Sequence, residues 1–140
     1  MTKPTRLFDF AFQQLVNQPL ENMIKTKMGD GWVSISTKEF VHQSEALAKG
    51  LLKMGVNPGD KIAMITSYNR QEWNFTDSAI LQIGAVNVPI YPTMTESDYE
   101  YILNHSEARM VFVSDVALYE KVKSIYSKLN FQPLIFSFEK

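Results

Sequence analysis

Cysteine is absent from this 140-residue chain. That excludes a disulfide scaffold, thiolate catalysis and thiolate metal sites, and it accords with a reducing cytoplasm. Glycine is scarce, with six residues in all. Gly29, Gly31, Gly50, Gly55, Gly59 and Gly84 form no cluster able to wrap a pyrophosphate, so neither a dinucleotide fingerprint nor a Walker loop is present. There is no charge excess either: 14 basic residues face 15 acidic ones, for a net charge of −1. Nucleic acid is therefore not an expected partner. The chain lacks any apolar run of roughly 18 residues, the length needed to cross a bilayer. Its opening residues, Met1 to Asp9, contain no apolar core of a signal peptide. What is present is ordinary: hydrophobic residues at 45% and charged residues at 21%, enough to build one domain core.

The first apolar period, Leu7, Phe8, Ala11, Phe12, Leu15 and Val16, predicts a helix that Pro19 ends. A hairpin follows, Met23–Met28 and Trp32–Ser36, with Gly29-Asp30-Gly31 supplying positive-φ positions. Ser36 and Glu39 match a capping box for a long helix that Gly55 closes. Asn57-Pro58-Gly59-Asp60 is a turn.

From Lys61 the pattern becomes β-α-β-α-β-α-β. Ile62–Thr66, Ala85–Tyr91, Met110–Val113 and Pro133–Phe138 are short, nearly continuous apolar runs, as in buried parallel strands. Asn69–Glu72 matches a capping box, Thr95–Asp98 opens the next helix, and Asp115 can cap the last one. The expected fold is α/β: an open, mainly parallel sheet with helical crossovers, preceded by a helix, a β-hairpin and a long helix. The expected division is residues 1–60, then residues 61–140 as the βαβαβαβ portion of the same domain.

Catalytic signals are few. His42 and His105 are the only histidines, and no Gly-x-Ser-x-Gly elbow supports a nucleophilic serine. His42 reads as a helix-surface residue. No catalytic residue and no metal ligand is assigned. Two segments carry polar groups to strand ends, where ligands gather in such sheets. Ser67–Gln71 reads either as a helix cap with an aromatic anchor at Trp73 or as a cleft-facing loop. Tyr91-Pro92-Thr93, after a strand interrupted by Pro89, reads either as a strand exit or as a ligand-lining loop. Asn69, Arg70, Tyr91, Pro92 and Thr93 are the substrate-binding candidates.

Gly55–Met64, Asn69–Trp73 and Ala79–Thr93 together resemble the N-terminal part of adenylate-forming (AMP-binding) enzymes, and within them long-chain fatty acid–CoA ligases. Tyr101–Ala108, Val111–Val113 and the Gly31-Trp32 hairpin leading into Thr37–Phe40 continue the likeness. The resemblance implies a two-step parent reaction. A fatty acid carboxylate attacks the α-phosphate of Mg-ATP, giving acyl-AMP and pyrophosphate, and the thiol of coenzyme A then displaces AMP. It also implies ATP, Mg²⁺ and coenzyme A as the parent's requirements. The family's phosphate loop ending in Pro-Lys-Gly, its Tyr-Gly-x-Thr-Glu stretch and its C-terminal domain with a catalytic lysine do not occur in these residues. The chain is therefore expected to be an inactive N-terminal fragment that binds none of these alone. Its partners would be the remainder of the ligase chain and, through exposed apolar surface, a second copy. A cytoplasmic location is expected, with peripheral contact at the inner face of the membrane. A free-standing flavodoxin-like or receiver-like module, or a non-catalytic interaction domain, is the alternative.

Overall fold

A computed structural model describes residues 4–139. Met1 to Lys3, part of the leader reading, and Lys140 lie outside it. The elements run α1 (Asp9–Asn17), β1 (Ile24–Met28), β2 (Gly31–Ile35), α2 (Thr37–Lys53), β3 (Lys61–Ile65), α3 (Gln71–Gln82), β4 (Val86–Ile90), α4 (Glu96–Ser106), β5 (Met110–Val113), α5 (Val116–Ser124), a 3₁₀ turn (Tyr126–Lys128) and β6 (Leu134–Ser137). They form two compact units. One holds the residues up to Asn57 together with Asn69–Gly84; the other holds Pro58–Tyr68 and the residues from Ala85 onward. Helix α3 thus groups with the first unit, although it falls inside the 61–140 stretch.

The first unit packs α2 against α1 and α3, with the hairpin alongside α3. The hairpin register sets Met28 opposite Gly31, so only Gly29 and Asp30 form the loop. The Gly-Asp-Gly expectation needs correcting. Gly29 alone has a positive φ, at +59°, while Gly31 already belongs to the strand. A positive φ at the first loop position only suits a II′-type connection, whose twist matches the strands. Helix α2 starts and stops where its sequence says. The Ser36 hydroxyl accepts from the Glu39 amide, and the Glu39 carboxylate accepts from the Ser36 amide at 2.7 Å. At the other end Gly55 adopts φ +79°, and the Val56 and Gly55 amides donate to Leu51 and Leu52 carbonyls, a Schellman closure. One apolar cluster of this unit buries Ala11, Phe40 and Val41, with Phe12, Leu15, Met23, Ile24, Ile35 and Phe75 packed half-buried around them, and Leu51, Ala79 and Ile80 are buried as well.

The second unit is a four-stranded parallel sheet in the order β4-β3-β5-β6. Strand β5 is buried at every residue and β3 at all but Lys61, because neighbours pair them on both sides. Alternate residues of the strands point to opposite faces. On one face Ala63, Ile65, Val111 and Val113 join Ile90, Tyr99, Leu103, Leu118, Val122 and Ile125 in a single core. On the other, Phe112 stacks on Phe136 and Phe138, with ring centroids 5.3 and 5.9 Å apart. Pro89 lies in β4, an edge strand, where its missing amide costs the ladder least.

The expected cap at Asn69 is also corrected. The N-cap of α3 is Arg70, and no side chain of its own segment caps it. The Gln71 amide instead donates to the Thr26 hydroxyl of the hairpin at 3.1 Å. A buried hydroxyl brought in from 45 residues away replaces the local one.

Candidate functional site

In the sheet unit the chain leaves β3 toward β4 on one side and leaves β5 toward β6 on the other. The ends of β3 and β5 are thus where strand order reverses, and ligands of open α/β sheets bind outside the carboxyl ends of such strands. Ser67, Ser114 and Asp115 meet there. The Ser67 amide donates to the Ser114 hydroxyl at 2.9 Å, and both hydroxyls donate to the same Asp115 oxygen at 2.7 Å. The second Asp115 oxygen accepts from the Leu118 amide at 2.9 Å, capping α5. Burial alone would raise the Asp115 pKa. The bonds from Ser114, Leu118 and Ser67 outweigh it and hold the carboxylate below its ordinary range. The cluster satisfies itself. It ties two strand ends to a helix N-terminus and leaves no carboxylate oxygen without a donor.

Beside it, at the end of β4, stands the second expected segment. Tyr91-Pro92-Thr93-Met94 is a β-turn closed by the Met94 amide on the Tyr91 carbonyl at 3.3 Å. Proline sits at the position whose φ it presets, and Thr93 does not adopt the left-handed region, as in a type I turn. Tyr91 is 73% exposed, and Thr93 is also exposed. The turn's carbonyls point the other way. The Tyr99 hydroxyl donates to Pro92 at 3.1 Å, and the Lys121 ammonium donates to Pro92 at 3.3 Å and to Met94. Burial, with the Asp115 charge adding to it, pushes the Tyr99 phenol up to about 12, so it stays a donor. Tyr99 was legible as a core residue of α4. Lys121 was not: it flanks the apolar face of α5, and nothing in its sequence neighbourhood aims it at residues 92–94.

Asn69 and Arg70 belong to the other unit. Asn69 is exposed. Arg70 has a side chain only 6% exposed and forks onto Glu72, with two contacts of 3.0 Å. The Arg70 guanidinium, working against partial burial, holds the Glu72 carboxyl below its ordinary range. The structure thus gathers Tyr91, Pro92 and Thr93 in one turn and places Asn69 and Arg70 at the start of α3. One concave feature of this unit lies elsewhere: a mostly apolar cavity of about 280 Å³ between α1, α2, α3 and the hairpin, with Phe10, Ile24, Phe40 and Leu81 among its walls. Among the described residues no group of three His, Asp or Glu side chains could hold a metal ion. The four positive-φ glycines, 29, 55, 59 and 84, stand apart in the chain. The residues described therefore do not fit a nucleotide–Mg²⁺ cradle. Of the two histidines, His42 is exposed on α2, and His105 stacks on Tyr101 one helical turn away, at 5.7 Å.

The parallel sheet and its helical crossovers define an open α/β architecture. The AMP-binding enzyme family matches residues 13–135, and this chain belongs to that family. It is 40% identical over 91 residues to the long-chain-fatty-acid–CoA ligase FadD15 of Mycobacterium bovis, covering 64% of this chain and 15% of that protein. The anthranilate CoA ligase AuaEII, solved with anthranoyl-AMP, superposes with a TM-score of 0.82 at 20% identity, over 99% of this chain and 26% of that one. ATP-bound MatB from Rhodopseudomonas palustris gives 0.77 at 24% identity, over 96% and 25%. The solved structures confirm the fold: this is the α/β architecture found in acyl-CoA ligases. The matched stretch spans only 15% of the length of the FadD15 relative.

Proposed function

We propose that this chain forms the early part of an ATP-dependent acid–thiol ligase that acts on long-chain fatty acids, making acyl-CoA, AMP and diphosphate. The observation that carries this reading is the 40% identity to a long-chain-fatty-acid–CoA ligase, laid over a family match that runs nearly end to end. ATP, fatty acid and coenzyme A are substrates of the whole ligase, and Mg²⁺ serves its ATP. In these 140 residues the contribution is a scaffold. The sheet unit fixes strand ends, and the Tyr91–Thr93 turn presents side chains to substrate. No step of acyl adenylation is assigned to a residue here, because adenylation needs charge-neutralising groups placed around the phosphates, and the described side chains assemble none. The remainder of the ligase is the partner that supplies them. We place the ligase in the cytoplasm, with peripheral contact at the inner membrane face, and infer that the exposed Leu7, Phe10 and Val16 favour self-association of the isolated chain.

ATP–pyrophosphate exchange tests the reading. The 140-residue chain should show none. A longer chain that continues this sequence should exchange only when a long-chain fatty acid is added. Exchange by a rigorously purified 140-residue sample would overturn the scaffold assignment. A longer chain that exchanges with aryl acids and ignores fatty acids would overturn the substrate class.

A further inference from the structure

The turn at Tyr91–Met94 is held from beneath by two side chains of different helices. Tyr99 of α4 is fully buried, and its hydroxyl lies 3.1 Å from the Pro92 carbonyl and 3.4 Å from the Tyr91 carbonyl. Lys121 of α5 lies with its ammonium 4.5 Å from the centroid of the Tyr99 ring and donates to the Pro92 and Met94 carbonyls. Pro92 therefore accepts from both. An ammonium strongly prefers water, and a lysine on a helix flank can reach it at little cost. This one turns instead onto an aromatic face and two backbone oxygens, contacts that are strong only when the geometry is kept. Three of the turn's four carbonyls, those of Tyr91, Pro92 and Met94, are thereby engaged from the inside. The exposed Tyr91 ring and the Thr93 side chain are left facing outward on a turn that cannot rotate freely.

We propose that Tyr99 and Lys121 are positioning residues: together they clamp the Tyr91–Met94 turn so that Tyr91 and Thr93 form a fixed wall against which the ligase's substrate is aligned. The clamp itself follows from the contacts above; the substrate half of the proposal rests on the ligase reading. A wall already rigid before binding reduces the ordering entropy that the complex with substrate loses. Its loss should therefore fall on KM for the substrate that touches the wall.

Hydrogen exchange on the 140-residue chain tests the clamp. The reporter is the Met94 amide, which closes the turn, and the control is the set of β5 amides in the centre of the sheet. In Lys121→Met the Met94 amide should exchange about ten- to a hundredfold faster, the span expected for losing a charged hydrogen bond that holds a local opening closed. The β5 amides should keep their rates. Lys121→Arg, which retains the charge, the stacking and the donors, should restore most of the protection. Tyr99→Phe should loosen the same amide, and the double variant should fall short of the sum, since both groups share the Pro92 carbonyl. Unchanged Met94 exchange in Lys121→Met would overturn the proposal. So would an equal acceleration of β5, which would mark Lys121 as a general stabiliser. In a longer, exchange-active chain, Lys121→Met should raise KM for one substrate severalfold and Lys121→Arg should not. A loss of kcat alone would overturn the wall. Absence of exchange in that longer wild-type chain would instead refute the ligase reading, and the Met94 result would still decide the clamp.

Discussion

Helices α3 and α4 begin within 25 residues of each other in sequence, yet they are started by different physics. The start of α4 is written in four consecutive residues. The Thr95 hydroxyl accepts from the Asp98 amide, and the Asp98 carboxylate accepts from the Thr95 amide at 2.9 Å. The start of α3 has no such local pair. Its first amide is met by Thr26 of the hairpin, and its Arg70 is neutralised by Glu72. The box on α4 sits at the surface, where local and solvent partners compete on equal terms. The α3 start is buried against its own unit, and a buried amide must take whatever acceptor the tertiary fold delivers. The comparison teaches that a cap read from sequence is trustworthy when exposed and is easily displaced when the fold brings in a better-placed acceptor.

The contrast can be broken most severely at Arg70. Arg70→Met should cost about 3 kcal/mol, because it strands a half-buried Glu72 carboxylate without its partner. Urea unfolding of the purified chain would read it. Thr26→Val comes next, at about 2 kcal/mol, since it leaves the Gln71 amide buried without an acceptor. A loss under 0.5 kcal/mol would show that α3 needs no help from the hairpin. Thr95→Ala should cost about 1 kcal/mol, the ordinary value of an exposed cap.

Acid should act on both helix starts in the same direction. The Thr95 hydroxyl and amide hold Asp98 below its ordinary range, as Arg70 holds Glu72. Both carboxyls are thus depressed in the folded state. Their stabilisation is complete above an unfolded pKa of about 4 and is lost as pH falls through the lower folded values. Unfolding curves between pH 6 and 3 should show stability falling with acid, and the fall should be shallower in Glu72→Gln. A slope unchanged in that variant would remove Glu72 from the account. The smallest effect is expected at Asn69. If Thr26 caps α3, Asn69→Ala should change stability by less than about 0.5 kcal/mol, and a loss near that of Thr95→Ala would reinstate the local cap.

Much of the fold was legible because it depends on short-range chemistry. The capped starts of α2, α4 and α5, the Schellman end at Gly55 and the apolar runs of β3 and β5 each follow from a few neighbouring residues. Pro89 brings no ladder amide and so calls for an edge or a strand exit, and it lies on an edge strand. The hairpin loop was read one glycine too generously, because a two-residue connection needs fewer left-handed positions than Gly-Asp-Gly offers. At the strand ends the sequence pointed to Ser67–Gln71, with Asn69 and Arg70 rather than Ser67 as its candidates, and to Tyr91–Thr93, and Asp115 was legible as a cap. That Ser67 and Ser114 both donate to that one carboxylate was not legible, for they lie 47 residues apart.

The sequence by itself determined the order of the elements, most of their caps and turns, which runs are buried on both faces, and the family to which the chain belongs. These depend on periodicity, caps and turn residues that act over a few positions. Tertiary structure alone decided the pairing order β4-β3-β5-β6, the capping of α3 by Thr26, and the seat of Lys121 under the Tyr91–Met94 turn. Each of these joins groups distant along the chain. Such contacts form only once packing has overcome the entropy of bringing their segments together, and no local pattern records which partner will arrive.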